Sequence, residues 1–145
     1  MKISTKGRYA LRMLLDLAEH KENGFIPLKE IALRQEISKQ YLEQIVSLLN
    51  SSQVLRANRG KQGGYMLAKE PFEYTVGEIL RITEGSLAPI ACLDNRNMDC
   101  NLSESCKTLP MWRGLDKVIK EYLDNITLQD MLDQYQRQGG DHYII

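Results

Sequence analysis

The sequence predicts a mainly α-helical chain with one small β-hairpin, and the stretch from Ile37 to Lys69 carries the prediction. Within it Leu42, Ile45, Val46 and Leu49 recur at the i, i+3, i+4, i+7 spacing of one buried helix face, with Ser38 placed as an N-cap. Two strand-like runs follow, Val54 to Ala57 and Tyr65 to Ala68, joined by Asn58-Arg59-Gly60-Lys61-Gln62-Gly63-Gly64. Glycines there permit a tight turn and a close backbone approach. A shorter helix, opened by Pro27 with Leu28, Ile31 and Ala32 facing inward, leads through Gln35-Glu36-Ile37 into the longer one. Two helices joined by a tight turn and followed by a basic hairpin make a winged helix-turn-helix, expected over residues 1–85.

The flanking elements follow in order. Ser4 to about His20 reads as a first helix with Ala10, Leu11, Leu14, Leu15 and Ala18 on its buried side. Beyond the hairpin, Glu70-Pro71 breaks structure and Thr75 caps a helix with Val76, Ile79, Leu80 and Ile82 as its apolar side, ending at Gly85. Residues 86–110 lose all periodicity and hold the cysteines. Residues 111–145 open with a helix from about Met111 to Asn125 carrying Trp112, Leu115, Val118, Ile119, Tyr122, Leu123 and, just past its end, Ile126. That is more apolar surface than one small domain covers, so the helix is expected to pack against its copy in a homodimer; packing within its own chain is the alternative. Thr127 with Asp130 resembles a capping box for a last short helix bearing Leu128, Met131, Leu132 and Tyr135, and the tail from Gln136 carries no signal.

Composition places the chain among globular proteins: 145 residues, 43% hydrophobic and 26% charged. The opening Met1-Lys2-Ile3-Ser4-Thr5 runs straight into an amphipathic helix rather than a signal peptide, and no apolar run is long enough to span a membrane. A cytoplasmic location is expected. The formal net charge of zero conceals an asymmetry: residues 1–69 carry 12 Lys/Arg against 6 Asp/Glu, net +6, and residues 70–145 carry 7 against 13, net −6. A basic half joined to an acidic half suits nucleic-acid binding by the first.

The exposed side of the helix after Ser38 bears Gln40, Glu43, Gln44 and Ser47, short hydrogen-bonding side chains that can read base edges. Lys39 and Tyr41 are placed to meet a phosphate or a thymine methyl. An ordinary solvated face fits the same pattern, but the adjoining hairpin, with Arg59 and Lys61 at its tip, favours DNA, because a narrow minor groove attracts arginine. Lys2, Ser4, Thr5, Lys6 and Arg8 crowd the start of the first helix as phosphate contacts or as a plain basic terminus.

All three cysteines, Cys92, Cys100 and Cys106, fall within fifteen residues, separated by seven residues and then five. An odd cluster in a cytoplasmic chain points away from a disulfide framework, toward a metal site or free, redox-sensing thiols. Thiolates select zinc, copper(I) and iron–sulfur clusters, and the short Cys-x-x-Cys knuckles usual for zinc are absent. No nucleophile–base pair, phosphate loop or paired carboxylates argue for an enzyme.

The segments MKISTKGRYALRMLLDLA, ISKQYLEQIVSLL, RANRGKQGGYMLAK and YTVGEILRITEG, with the loop running into CKTLPMWRGL, together resemble IscR-type regulators of the Rrf family of bacterial transcription factors over nearly the whole chain. The resemblance implies a homodimer on a pseudo-palindromic promoter site in double-stranded DNA. By position, Gln40, Tyr41, Glu43 and Gln44 match the base-reading segment, Arg59 the minor-groove arginine, and Cys92, Cys100 and Cys106 the thiolates of a 2Fe-2S or 4Fe-4S iron–sulfur cluster. Two departures stand out: Leu109 occupies the place of the cluster-assembly regulator's histidine ligand, and the seven-residue gap is more like that of iron-responsive members. Asp94, Asp99, Glu104, the other subunit or an exogenous ligand could fill the open position. Family members without a cluster imply another course, sensing through an enzyme partner; a zinc-stabilised DNA-binding module is the remaining alternative.

Overall fold

The computed structural model describes residues 2–94 and 106–142. Among these residues six α-helices and one two-stranded antiparallel sheet follow in the order α1 (Thr5–Glu19), α2 (Leu28–Gln35), α3 (Lys39–Ser51), β1 (Leu55–Asn58), β2 (Gly64–Leu67), α4 (Val76–Glu84), α5 (Leu109–Asn125) and α6 (Leu128–His142). This bears out a mainly α chain with a small hairpin.

The start signals act as expected. Ser4, Ser38 and Thr75 each accept a backbone N–H three residues on, from Gly7, Tyr41 and Glu78, satisfying helix donors that otherwise lack partners. Thr127 and Asp130 form the reciprocal box, Thr127 N–H donating to Asp130 Oδ2 at 2.9 Å and Asp130 N–H to Thr127 Oγ1 at 3.0 Å. α5 begins two residues before the expected Met111, because Pro110 is tolerated in a first turn and Leu109 is buried.

The core is built from α1, α2, α3, the hairpin base and α6. Leu42, Ile45, Val46 and Leu49 are buried, as the spacing of α3 requires. On α1 the buried face is rotated from expectation: Met13 and Leu17 are fully enclosed while Leu11 and Leu15 are half-buried. α1 packs against α2, α3, α4, β2 and α6, so its apolar face must be wider than one neighbour demands. The last helix is longer than expected, reaching His142, and it returns to this core through Leu128 and Leu132. A second cluster of Val76, Leu80 and Leu87, joined by Leu123, Ile126 and Met131, fixes α5 and α6 to α4. Val76 N–H donates to Ile126 C=O at 2.9 Å and Leu128 N–H to Tyr74 C=O at 3.1 Å, sealing that junction. Arg81 and Asp124 add a bidentate pair at 2.7 and 3.0 Å that lowers the Asp124 carboxyl; both side chains are more than a third exposed, so its contribution is about 1 kcal/mol or less.

Among the described residues, one charged side chain lies inside. Asp16 is 2% exposed and sits among the apolar residues of α1. Arg34 grips it bidentately at 3.0 and 2.7 Å, and Gln35 Nε2 donates to it at 2.9 Å. The hydrogen bonds it donates to Asp16 raise the Arg34 guanidinium above its ordinary range. Arg12 donates to the Gln35 carbonyl and, at 3.3 Å, to its side-chain oxygen. The end of α2 is thereby tied to α1, and Glu36 turns the chain into α3 with φ 55°.

The hairpin pairs Leu55 with Leu67 through Asn58 with Gly64, one residue along from the expected runs, and Ala68 N–H still reaches Val54 C=O at 3.0 Å. Ile26 adds a third line of pairing, exchanging two 2.9 Å hydrogen bonds with Tyr65. A Cβ at Gly64 would overlap the Ile26 backbone, so glycine is required for this approach. Tyr74 clamps the hairpin base: its hydroxyl donates to Val54 C=O and accepts from Lys69 N–H, both at 2.9 Å.

Two outcomes are expected. Asp16→Ala removes the acceptor that Arg34 and Gln35 share and costs about 1.5–3 kcal/mol in denaturant unfolding. Tyr74→Phe leaves Lys69 N–H unpaired and costs about 1–2 kcal/mol. Burial pushes the Tyr74 hydroxyl above its ordinary pKa of about 10. Its contribution to stability is therefore complete below that pH and is lost as pH rises through the higher folded-state value. Alkaline unfolding profiles check this, since the Tyr74→Phe variant lacks that part of the decline.

Candidate nucleic-acid interface and cysteine loop

The turn set by Asp16 and Glu36 presents α3 with Lys39, Gln40, Glu43, Gln44 and Ser47 exposed along one side. The first turn of α1 lies beside it, for Lys6, Gln40, Glu43, Gln44, Ser47 and Leu48 line one open concavity of about 670 Å³. Donors, acceptors and a cation thus share a face whose opposite side is the core. Tyr41 is half-buried and stands edge-to-face on Tyr9, ring centroids 5.6 Å apart, with the Arg12 guanidinium 5.1 Å from the Tyr9 ring centre. Its ring therefore serves packing as well as the surface.

Ser38 spends its oxygen on the α3 cap. Lys2, Thr5 and Arg8 are exposed, and Arg8 donates to Thr5 Oγ1 at 3.1 Å. Ser4 is half-buried; besides capping α1 it donates its hydroxyl to Glu84 Oε1 at 2.7 Å, and its N–H reaches the same oxygen at 2.9 Å. At the hairpin tip Gly63 N–H closes on Gly60 C=O at 3.0 Å, with Gly60 at φ 114°, and Arg59 and Lys61 project into solvent.

The cysteine loop leaves the end of α4 at Gly85 and rejoins the fold at α5. Cys92 is exposed on a single 3-10 turn, Ala91–Leu93, and Asp94 follows it half-buried. Cys106 is half-buried just before α5, 3.3 Å from Thr108 Oγ1. The Thr108 hydroxyl, with the backbone N–H groups of Thr108 and Leu109, holds the Cys106 thiol below its ordinary pKa. Cys100, Asp99 and Glu104 lie outside the described residues, and no three metal-ligating side chains converge among those described. Leu109 is 5% exposed in the first turn of α5 and apolar, so it supplies no ligand.

Sequence reading missed three tertiary contacts: the Asp16–Arg34–Gln35 tie, the Tyr74 clamp and the Ser4–Glu84 pair. Asp16 left a signal, a carboxylate between Leu15 and Leu17 on an apolar helix face, which demands a partner. Glu84, 80 positions from Ser4, left none.

The fold and this face define a winged-helix, DNA-binding transcriptional regulator. The family model described as "Iron-dependent Transcriptional regulator", Rrf2, matches residues 3–134. The HTH-type transcriptional regulator IscR of Yersinia enterocolitica is 36% identical, over 97% of this chain and 88% of that protein. Among solved structures, CymR (YrzC), the global cysteine regulator of B. subtilis, has a TM-score of 0.78 at 35% identity, covering 92% of this chain and 98% of that one. T. potens IscR has a TM-score of 0.72 at 41% identity, covering 93% and 88%. The chain belongs to the Rrf2 family, whose members act as transcriptional regulators and not as enzymes. No helix among the described residues is long and apolar enough to cross a membrane.

With this interface, Glu43→Ala is expected to relax base preference at one position by about 1–3 kcal/mol while leaving overall affinity nearly intact. Arg59→Ala is expected to weaken binding and reduce the preference for A·T flanks. Randomised-site selection and titrations at fixed salt distinguish the two, and unchanged profiles for both would refute the assignment.

Proposed function

We propose that the chain is a homodimeric, cytoplasmic transcriptional regulator that binds a pseudo-palindromic site in double-stranded DNA and senses iron, iron–sulfur or redox status through a labile iron–sulfur cluster on Cys92, Cys100 and Cys106. The observation that carries the sensing part is the position of the thiols: Cys106 stands immediately before α5 and Cys92 on the segment leaving α4, so the loop spans the two helices.

Homodimerisation rests on α5. Met111, Leu115, Val118 and Tyr122 are 55%, 40%, 61% and 65% exposed and recur every three or four residues, an apolar stripe that a second copy would cover. A two-fold pair of α5 helices would set two α3 helices about one DNA turn, ~34 Å, apart. Lys39, Gln40, Tyr41, Glu43 and Gln44 would meet the major groove, Arg59 and Lys61 the minor groove, and Lys2, Thr5, Lys6 and Arg8 the phosphates.

The donor set fits an iron–sulfur cluster. Three thiols form one loop, and the Cys106 thiol has hydrogen-bond donors that favour its thiolate, the ligating form. When bound, a cluster supplies sensitivity to oxygen, nitric oxide and iron supply. Leu109 leaves one coordination position to Asp94, Asp99, Glu104, the other subunit or an exogenous ligand, and incomplete protein ligation suits a labile sensor. A second reading, a cluster-free regulator of cysteine metabolism that acts with an enzyme partner, is favoured by the match over 98% of the length of a global cysteine regulator.

Anaerobic purification with a visible spectrum, iron, sulfide and zinc analysis and sedimentation separates these readings. The wild type is expected to be a brown dimer that bleaches in air, and Cys92→Ala a colourless protein with unchanged folding and dimerisation. Metal-free wild type after reconstitution would support the partner-dependent reading; stoichiometric zinc and an unfolded Cys92→Ala would indicate a structural metal.

A further inference from the structure

We propose that Glu84 is a positioning residue for DNA binding: its carboxylate holds the capped start of α1 so that Lys6 stands beside the polar stripe of α3. The proposal rests on the interface described under the proposed function.

Glu84 Oε1 accepts twice from Ser4, from the hydroxyl at 2.7 Å and from the backbone N–H at 2.9 Å. The same hydroxyl oxygen accepts Gly7 N–H at 3.1 Å, so the residue that caps α1 is itself fastened to the end of α4. Hydrogen bonds to an ionised carboxylate are the stronger kind, and both groups are half-buried, where solvent competes less. Packing adds to the grip: a Cβ at Gly7 would collide with the Glu84 carboxylate and meet Thr83 Oγ1 at 3.1 Å, so the bare backbone at Gly7 leaves the space that the Glu84 carboxylate occupies. Lys6 lies between the two gripped positions, Ser4 and Gly7, and shares the concavity with Gln40, Glu43 and Gln44. Glu84 itself does not line that concavity. A carboxylate exposed beside phosphates would repel DNA, whereas one spent on Ser4 orders the cation that attracts it.

The position of Glu84 in the chain gives the contact a second consequence. Glu84 is the last residue of α4, and Gly85, its C-cap at φ 81°, starts the loop that carries the cysteines. The Ser4–Glu84 contact thus joins the root of that loop to the first turn of α1.

The test is the DNA affinity of the metal-free full-length protein as a function of salt, for wild type, Glu84→Ala, Glu84→Gln and Lys6→Ala. Glu84→Ala is expected to bind about tenfold more weakly, with a log–log salt slope shallower by about one unit, the signature of one lost phosphate contact. Glu84→Gln keeps an acceptor oxygen at the same place and is expected to retain affinity and slope. Lys6→Ala should match Glu84→Ala, and the double variant should be no weaker than either alone. A folded Glu84→Ala with wild-type affinity and slope, beside a weakened Lys6→Ala, would overturn the proposal and leave the interface standing. Lys6→Ala, Gln44→Ala and Arg59→Ala all binding as wild type would overturn the interface, and the proposal with it. If Glu84→Ala fails to fold by circular dichroism, Ser4→Ala decides on the same readouts, with a shallower slope supporting the proposal and an unchanged slope overturning it.

Discussion

A carboxylate placed among apolar side chains must be compensated, and in this protein the compensation of Asp16 organises the junction of α1, α2 and α3. Leaving that charge unpaired at 2% exposure would cost several kcal/mol, so the chain is held to conformations that bring donors to it. The donors are Arg34 and Gln35, the last two residues of α2. Their capture fixes where α2 stops, and Arg12 takes up the Gln35 carbonyl that the helix end leaves without an intrahelical partner. With both termini of the turn constrained, Glu36 accepts a left-handed conformation normally left to glycine, and Ser38 starts α3 in one orientation. The polar stripe of α3 and the first turn of α1 then form a common face.

The rest of the molecule is fastened to that junction through α4. Its first residue receives the α5–α6 junction through the Val76–Ile126 hydrogen bond, its middle holds α5 through Arg81 and Asp124, and its end holds α1 through Glu84. A short helix of nine residues therefore touches the start of α1, the apolar α5 and the root of the cysteine loop.

The division of labour between the halves also follows from chemistry. Basic residues crowd the first 69 positions, and acidic ones dominate the remainder, where they keep the exposed flanks of α5 and α6 hydrated around an apolar stripe. In sequence the cysteines fall in the acidic half, at least 28 positions after Gly64 of the hairpin.

Much of this was legible in the sequence, because helix faces and caps are local. The spacing of Leu42, Ile45, Val46 and Leu49, the caps Ser38 and Thr75, the Thr127–Asp130 box and the glycine-rich hairpin each depend on residues within a turn or a few positions, and each forms. What the sequence could not convey was which distant groups meet. The wider buried face of α1, centred on Met13 and Leu17, depends on five neighbours at once, and the return of α6 to the core depends on the pairing of residues 74–76 with 126–128. The partners of Asp16 lie 18 and 19 positions away and that of Ser4 lies 80 away; no periodicity records such distances, since they are set by closing loops and filling a single core. The sequence by itself determined the elements, most of their faces and the chemical character of α3, the hairpin tip and the thiols. Only the tertiary structure decided how those faces are aimed, because aim is a property of contacts between elements and not of any element alone.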